Sequence, residues 1–404
     1  MKKVVGQMFI FLLFVVFVNA VFLGEVNARK SLEEFRRQRE SGLERYQQER
    51  QEDIEEIRQA YEEFYKKRRQ AFRDFVDSME RRWGEGNARV PDRKNYVAYS
   101  EKRNRRHAVD FEEGKVEVEV ILDPQDTENA VEQLHAQIVE LVTDRGRDIV
   151  EEELDEESEE PSTAEPVLAG QLKNNAGEIV DESNAEQFAE EIIEANNISR
   201  QKVETEETGE QEVVSLDFSL IPNHLVERVA RFQERVIKHA RAWDLNPSLV
   251  FAIIHTESYF NPQARSHIPA YGLMQIVPQT AGKDAYNHIY GEQKLLGPND
   301  LYDPDQNIKF GTAYIDLLLN RYLTPIENRE NRLYCAIASY NTGAGNMSRA
   351  FVDNTSISQA ADVINRLSPQ QIYNKLYRDL PYEETRNYME KITENQELYR
   401  QWDS

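Results

Sequence analysis

The chain has 404 residues, with 49 Lys and Arg against 73 Asp and Glu, which gives a formal net charge of −24. The acidic balance argues against a nucleic-acid-binding surface, and the length predicts two or three domains. Cys335 is the single cysteine, which excludes an intramolecular disulfide and a cysteine metal cluster, and the seven histidines form no HExxH pair. We therefore expect no metal and no cofactor.

Residues 1–28 have the pattern of an export signal. Two lysines precede an apolar run from Met8 to Val18, and small residues follow at Ala20 and Ala28, after either of which cleavage is expected. The run is short for a membrane span, which needs about 20 apolar residues, but an uncleaved inner-membrane anchor is the alternative. Both outcomes place the rest of the chain outside the cytoplasm. Without a nearby cysteine, we expect no lipid anchor.

Residues 29–84 are predicted to form a long charged helical arm. Apolar side chains in its second half recur every three or four positions, at Ile54, Ile57, Tyr61, Phe64, Phe72, Phe75 and Met79. This heptad-like seam is typical of an amphipathic helix. Two interpretations are open: an arm that self-associates or spaces the protein from a membrane, or a helix that folds back on its own domain.

Residues 85–220 are predicted to form a small α+β domain. The clearest strand is Lys115 to Leu122, whose first half alternates strictly between polar and apolar side chains. Helical spacing follows near residues 126–142 and 185–195, and residues 212–220 alternate again. The acidic loop 150–166 is predicted to be solvated.

Residues 221–404 carry apolar stripes at helical spacing and no strand signal, which predicts an all-α domain. Within it, Asn246 and Pro247 look like the N-cap and first position of a short helix that cannot continue past Pro262. Glu257 falls on the apolar stripe of this helix. A carboxyl group in apolar surroundings favours its neutral form and can act as a general acid near neutral pH. The alternative is an ordinary salt-bridged Glu at a helix end.

Further segments suited to binding a sugar chain decide between these two interpretations. They are Glu257-Ser-Tyr-Phe-Asn-Pro262, Ser266 with Gly272-Leu-Met-Gln275, Ala338-Ser-Tyr-Asn-Thr-Gly343, and Tyr388. In this order and spacing they resemble the lytic transglycosylases of the soluble-transglycosylase and goose-lysozyme type. Over residues 83–395 the chain is most similar to the membrane-bound lytic murein transglycosylase C group, on the evidence of Pro222-Asn-His-Leu225, Asn95-Tyr-Val-Ala-Tyr-Ser100 and Asp110-Phe-Glu-Glu-Gly114.

The resemblance implies a lysozyme-like catalytic domain and a peptidoglycan lytic transglycosylase, a carbon–oxygen lyase that consumes no water. Its partners would be peptidoglycan glycan strands, in the periplasm of a Gram-negative-type bacterium. Glu257 would protonate the oxygen between N-acetylmuramic acid and N-acetylglucosamine and then deprotonate the C6 hydroxyl, leaving a 1,6-anhydromuramyl end. The stretch around Glu257 offers no second carboxyl group in a comparable motif, which fits this single-carboxyl mechanism.

The other matching residues are expected to support Glu257. Ser266 and Gln275 can hydrogen-bond the acid or the substrate amide, and Met274 and Tyr271 can form an apolar wall. We expect Tyr340 to donate a hydrogen bond to the carboxylate or to an acetyl carbonyl. Asn341 can hold the helix end or the sugar, and Tyr388 can close the site.

The chain departs from the group in three respects. It lacks the lipoprotein cysteine, it adds the long arm and the acidic loop, and it has Ser339 before Tyr340 where the group has alanine.

Two other functions stay open. A lysozyme-type hydrolase would need Asp300, Asp303 or Asp305 to position water, and a non-catalytic peptidoglycan-binding scaffold would need no acid at all.

Overall fold

The structure is a computed structural model, and it describes residues 59–60, 62–122, 129–146, 153–154, 165–207, 209–266 and 269–403. The chain divides into two compact units, residues 1–66 and 67–404. In the first unit residues 59–60 and 62–66 are helical. The export segment 1–28 and most of the acidic loop 150–166 lie outside the described residues, as does the first half of the predicted arm. The second unit carries the candidate site.

The second unit begins with helix α1 (residues 67–83) and continues into five antiparallel strands. The strands are β1 (Asn95–Tyr99), β2 (Arg105–Asp110), β3 (Lys115–Leu122), β4 (Ser199–Thr205) and β5 (Gly209–Ser219), in the spatial order β1-β2-β3-β5-β4. Helices α2 (Ala130–Thr143) and α3 (Ala185–Ala195) lie between β3 and β4 in the chain. The register pairs Val118 of β3 with Leu216 of β5.

Because strand side chains alternate between the two faces, this sheet buries both of them. Val116, Val118 and Val120 share one face and pack with α2 and α3. On the opposite face, Phe75, Met79 and Trp83 of α1 pack on side chains of β1, β3 and β5. The second-half seam of the predicted arm is therefore covered by the chain's own sheet from residue 71 onward.

The C-terminal half consists of helices, and the predicted α+β class with a helical C-terminal region is confirmed. In chain order the helices are α4 (His224–Ala242), α5 (Pro247–Ser258), α6 (Lys283–Tyr290), α7 (Pro298–Tyr302), α8 (Pro304–Leu317), α9 (Arg329–Thr342), α10 (Ala344–Ser348), α11 (Ile357–Ile364), α12 (Pro369–Asp379) and α13 (Glu383–Leu398). They enclose one continuous apolar core. In the part of the chain that the structure describes, no helix is long and apolar enough to cross a membrane.

The second unit has a sheet half, from α1 to β5 (residues 67–219), and a helical half, from α4 to α13 (residues 224–398). Arg228 of α4 joins the two halves. Its guanidinium is buried and donates to the carbonyl of Phe111 at 2.8 Å, to the side chain of Gln171 at 2.7 Å and to the carbonyl of Tyr259 at 3.1 Å. Phe111 and Gln171 belong to the sheet half, whereas Tyr259 directly follows α5. The sheet half is therefore fixed against the end of the helix that carries Glu257.

Candidate active site

Helix α5 runs through the middle of the helical core. Each of its residues except Thr256 is buried, so the helix is apolar on nearly all sides and not only along the predicted stripe. It begins at Pro247 with Asn246 as its N-cap residue, as predicted, although the Asn246 side chain makes no capping hydrogen bond. The free N–H of Ser248 instead donates to Asp403 at 2.9 Å, and the Ser248 hydroxyl donates to the same carboxylate at 2.7 Å.

The helix ends at Ser258, before Pro262, past which it was predicted not to continue. Tyr259 and Phe260 adopt left-handed backbone conformations, with φ of 54° and 60°. Such conformations are strained for residues with a side chain and persist where surrounding contacts hold them. The bond from Arg228 to the Tyr259 carbonyl is one such contact. This abrupt end leaves Glu257 in the last turn of the helix.

Glu257 is a buried carboxyl group at the base of a cavity. Only 5% of the residue is exposed, and burial raises its pKa to about 7, against the lowering effects of the Arg93 guanidinium and the Tyr388 hydroxyl. Glu384 adds a smaller raising effect. Glu257 is therefore divided between its neutral and charged forms near neutral pH, as a group that first gives and then takes a proton requires.

Two tyrosines and one arginine face this carboxyl group. Burial, and then the charge of Glu257, raise the pKa of both Tyr340 and Tyr388, so both remain neutral hydrogen-bond donors. The Nη1 atom of Arg93 lies 3.7 Å from Glu257 Oε2, and its Nη2 atom donates to Glu384 Oε1 at 3.0 Å. Arg93 belongs to the segment before β1, so the sheet half contributes a charge to the site.

The cavity over Glu257 has a volume of about 270 Å³. Its lining includes Ser266, Gln275, Tyr340 and Asn341, which were predicted as site residues. Tyr388 contacts Glu257 and lines the adjoining cleft between the two halves. The structure therefore gathers these five predicted residues around Glu257.

Tyr271 and Met274, the remaining two predicted residues, lie in the core behind the cavity. Both are fully buried; Tyr271 packs edge-on against Tyr302, and the Met274 side chain packs against Gly311. Neither lines the cavity over Glu257. Their influence on Glu257 is therefore through the position of the loop 271–275.

This loop is tied to α5, α8 and α9 by hydrogen bonds to its backbone. The Ser258 hydroxyl donates to the Leu273 carbonyl at 2.8 Å, and the Tyr340 hydroxyl donates to the Met274 carbonyl at 2.8 Å. The buried side chain of Asn307 accepts from the Met274 N–H and donates to the Tyr271 carbonyl, both at 2.8 Å. Ser258, which follows Glu257, thus couples the acid directly to the loop.

Gln275 is held by the same loop. Its Nε2 atom donates to the carbonyls of Ala264 and Gly272, each at 3.0 Å. Its Oε1 atom is buried and has no hydrogen-bond partner among the described residues. A buried acceptor at the edge of a cavity is suited to receive a donor from a ligand.

The three loop aspartates considered for a hydrolase have structural roles. Asp300 accepts from the Gly297 N–H, and Asp303 caps α8 by accepting from the Gln306 N–H. Asp305 pairs with His239 at 2.8 Å. Asp300, Asp303 and Asp305 do not line the cavity over Glu257, whereas Glu384 does. Among the described residues, no group of three or more His, Cys, Asp or Glu side chains could hold a metal ion.

Sequence reasoning missed Arg93, Glu384 and Asn307. Glu384 lies four residues before Tyr388 and so shares its helix face, which was a usable signal. Arg93 is separated from Glu257 by 164 positions and stands in no motif. Asn307 looks like one more polar residue in the first turn of a helix.

Because the pKa of Glu257 is raised in the folded state, we expect the free energy of unfolding to depend on pH. Because the folded state holds this proton up to about pH 7, whereas the unfolded chain releases it near its ordinary value of 4.5, stability falls as the pH rises from 4.5 to 7. The contribution lost is on the order of 3 kcal/mol. Glu257→Gln should thus match the wild type near pH 5 and unfold at a higher temperature at pH 8. Thermal unfolding of both proteins across this range measures the difference, and a constant difference would contradict the assignment of a buried neutral acid.

Comparison with known proteins identifies the family of the chain. Residues 234–362 match the family described as Transglycosylase SLT domain, and residues 56–231 match the N-terminal domain of membrane-bound lytic murein transglycosylase C. A protein of that name from Actinobacillus succinogenes is 33% identical over 324 residues, which cover 80% of this chain and 86% of the relative. The chain belongs to the membrane-bound lytic murein transglycosylase C family.

A second relative belongs to the same family, and a solved structure shows a partial likeness. The membrane-bound lytic murein transglycosylase C of Salmonella arizonae is 35% identical over 327 residues, covering 80% of this chain and 87% of that protein. The solved 70 kDa soluble lytic transglycosylase of Escherichia coli is 25% identical, with a TM-score of 0.34, and covers 44% of this chain and 25% of its own. Because the chain belongs to the lytic murein transglycosylase C family, it is an enzyme, a peptidoglycan lytic transglycosylase.

Proposed function

We propose that this enzyme cleaves the β-1,4 bond between N-acetylmuramic acid and N-acetylglucosamine in peptidoglycan and leaves 1,6-anhydromuramyl ends during cell-wall remodelling. The observation that carries the proposal is the buried carboxyl group of Glu257 in the lining of the cavity, whose pKa of about 7 suits both proton donation and proton uptake. The glycan strand would occupy the cavity over Glu257 and the cleft beside it.

The reaction begins with proton transfer from Glu257 to the glycosidic oxygen. The bond between that oxygen and the muramyl C1 breaks, and the acetamido carbonyl oxygen of the same sugar stabilises the positive charge at C1. Glu257, now a carboxylate, removes the proton from the C6 hydroxyl as O6 bonds to C1. The acid is thereby regenerated, and no water is consumed.

The surrounding side chains have distinct proposed roles in this sequence. Tyr388 donates to the Glu257 carboxylate in the charged stage and closes the site. The free Oε1 atom of Gln275 accepts the acetamido N–H, which would orient its carbonyl toward C1. Ser266 and Asn341 bind sugar hydroxyls, and Tyr340 fixes the loop through the Met274 carbonyl while facing the carboxylate.

We further propose that residues 1–28 direct the chain out of the cytoplasm into the periplasm, where peptidoglycan lies. The relatives are named as membrane-bound proteins. Because α1 from residue 71 onward packs on the chain's own sheet, self-association or spacing from the membrane would involve the earlier part of the arm.

The products of digestion test the proposed reaction. Peptidoglycan treated with the wild type should release muropeptides lighter by one water than those of a hydrolase, and Glu257→Gln should release none above background. Hydrated reducing ends would support a lysozyme-type hydrolase. A wild type that binds peptidoglycan but releases no fragments would support the scaffold function, in which the acid is not used.

Glu384→Gln separates the lyase from a hydrolase in a second way. Glu384 is the other carboxylate lining the cavity, so a hydrolase would use it to position water and should lose roughly a hundredfold or more of its rate. A lyase that uses the substrate's own C6 hydroxyl should retain kcat within about tenfold, since Glu384 then acts only through charge. Initial rates on purified glycan strands measure this, with Glu397→Gln, at the far end of α13, as the matched control.

A further inference from the structure

We propose that Arg93 is a specificity-determining residue that binds a carboxylate carried by the muramyl side chain of the glycan strand, releasing Glu384 as it does so. This inference rests on the proposed function, because it names the feature of the strand that the same site recognises. The carboxylate is that of the 3-O-lactyl group in strands without peptides, or one of the acidic groups of the stem peptide.

Arg93 lies where a strand would pass from one cavity to the next. It lines the cavity of about 270 Å³ over Glu257, and it also lines a larger cleft of about 760 Å³ between the sheet half and the helical half. Ser266 and Glu384 share this position at the junction. A ligand group near Arg93 is therefore one attached to a sugar held next to the catalytic acid.

The contacts that hold Arg93 are weak enough to be exchanged. Its side chain is 40% exposed, and the Glu384 side chain is 66% exposed. Ion pairs this accessible contribute little to stability. The 3.7 Å approach to Glu257 Oε2 is longer than a hydrogen bond, so the guanidinium keeps donor N–H groups for a ligand. A guanidinium binds a carboxylate through two parallel hydrogen bonds, which a single exposed ion pair does not match.

The other acidic side chains of the sheet half in this cleft are already engaged. Asp92 accepts from the backbone N–H groups of Lys94 and Asn95, at 2.7 and 2.8 Å. Asp110 accepts from the backbone of residues 112 and 113, and Glu112 pairs with Lys94. These carboxylates are satisfied in turns or pairs, whereas Glu384 is paired with Arg93 and is the acid that a ligand carboxylate would displace.

Binding of a substrate carboxylate to Arg93 would also change the pKa of Glu257. Among the described residues, the titratable groups that interact with Glu257 in the free enzyme are Arg93, Glu384, Tyr388 and Tyr340, and Arg93 has the largest lowering effect on the pKa of Glu257. A substrate carboxylate that neutralises Arg93 removes this effect and favours protonated Glu257. Strands with the correct side chain would therefore make the enzyme ready to donate its proton.

The test compares three substrates: peptide-free strands with free lactyl carboxylates, the same strands with these groups converted to methyl amides, and peptide-bearing strands. The wild type should prefer a carboxylate-bearing strand to the methyl amide by about 10- to 100-fold in kcat/KM, mainly through KM. Arg93→Gln should remove this preference, and Arg93→Lys should keep part of it. On the methyl amide, Arg93→Gln should also shift the alkaline limb of kcat/KM to higher pH.

Arg89→Gln is the matched control. Arg89 lies in the same segment and pairs with Glu117 and Glu119, outside both cavities, so its loss should leave the preference intact. A preference for peptide-bearing strands alone, lost in Arg93→Gln, would identify the stem as the source of the carboxylate. The inference is overturned if Arg93→Gln discriminates as the wild type does, or if the wild type shows no preference. Hydrated ends from the wild type would instead overturn the proposed function.

Discussion

Replacing Glu257 with Gln is expected to lower the rate of glycan cleavage by at least about 10⁴-fold, the largest effect of any single substitution in this enzyme. A single general acid contributes roughly 10²- to 10⁴-fold, and here one group would act as acid and then as base. Gln has nearly the same shape but neither donates nor accepts a proton in the reaction. Release of soluble fragments from purified peptidoglycan, followed by mass spectrometry, gives the rate.

The same variant provides its own folding control. Since Glu257→Gln removes a buried group that becomes charged above pH 7, it should be at least as stable as the wild type at pH 8. Loss of activity in a protein that unfolds at a higher temperature cannot come from misfolding. Residual activity within about tenfold of the wild type would mean that another group donates the proton.

Gly272→Ala is expected to cost roughly 4 kcal/mol of stability and to lower activity by about 100-fold or more. Gly272 has a φ of 71°, and a Cβ atom there would collide with the carbonyl oxygen of Leu301 and with the Asn307 side chain. The collision involves backbone and a side chain committed to three hydrogen bonds, so the loop 271–275 would have to move. Its movement would displace Gln275 from the cavity.

Gly291→Ala is the matched control for this substitution. Gly291 has a similar φ of 75°, but a Cβ atom there meets nothing within 4 Å. Backbone strain alone should therefore cost about 1 kcal/mol, with activity unchanged. Chemical denaturation and initial rates for both variants separate strain from collision. Equal losses in the two variants would show that the packing of Gly272 against Asn307 does not matter.

The sequence alone was enough to place a carboxyl group in an apolar helix, because its physical signal is local. Glu257 breaks an apolar helix pattern within a few residues, and the structure shows that helix buried on nearly all sides. The alternation in β3 was equally local, and its valines do share one buried face. Patterns of this kind depend on neighbours in the chain, so one sequence contains them.

Contacts between distant segments could not be predicted in this way. The side chain of Asp403, rather than that of the adjacent Asn246, accepts the hydrogen bond of the Ser248 N–H in the first turn of α5, and Arg93 approaches Glu257 from the segment before β1. Tyr271 and Met274 are buried in apolar surroundings, but they lie behind the cavity and not along its wall. An apolar side chain in a motif does not say which side of the loop faces the cavity. A motif identifies the residue types of a site, whereas the packing of the two halves decides which charges surround the acid.

Digestion in water labelled with oxygen-18 tests the central claim most directly. If Glu257 serves as both acid and base and the C6 hydroxyl is the nucleophile, no labelled oxygen enters the new muramyl ends, and these ends cannot be reduced by borohydride. A lysozyme that produces hydrated ends, digested in parallel, should incorporate one labelled oxygen for each bond cleaved. One labelled oxygen per end from this enzyme would contradict the account, because water and not the sugar would then be the nucleophile.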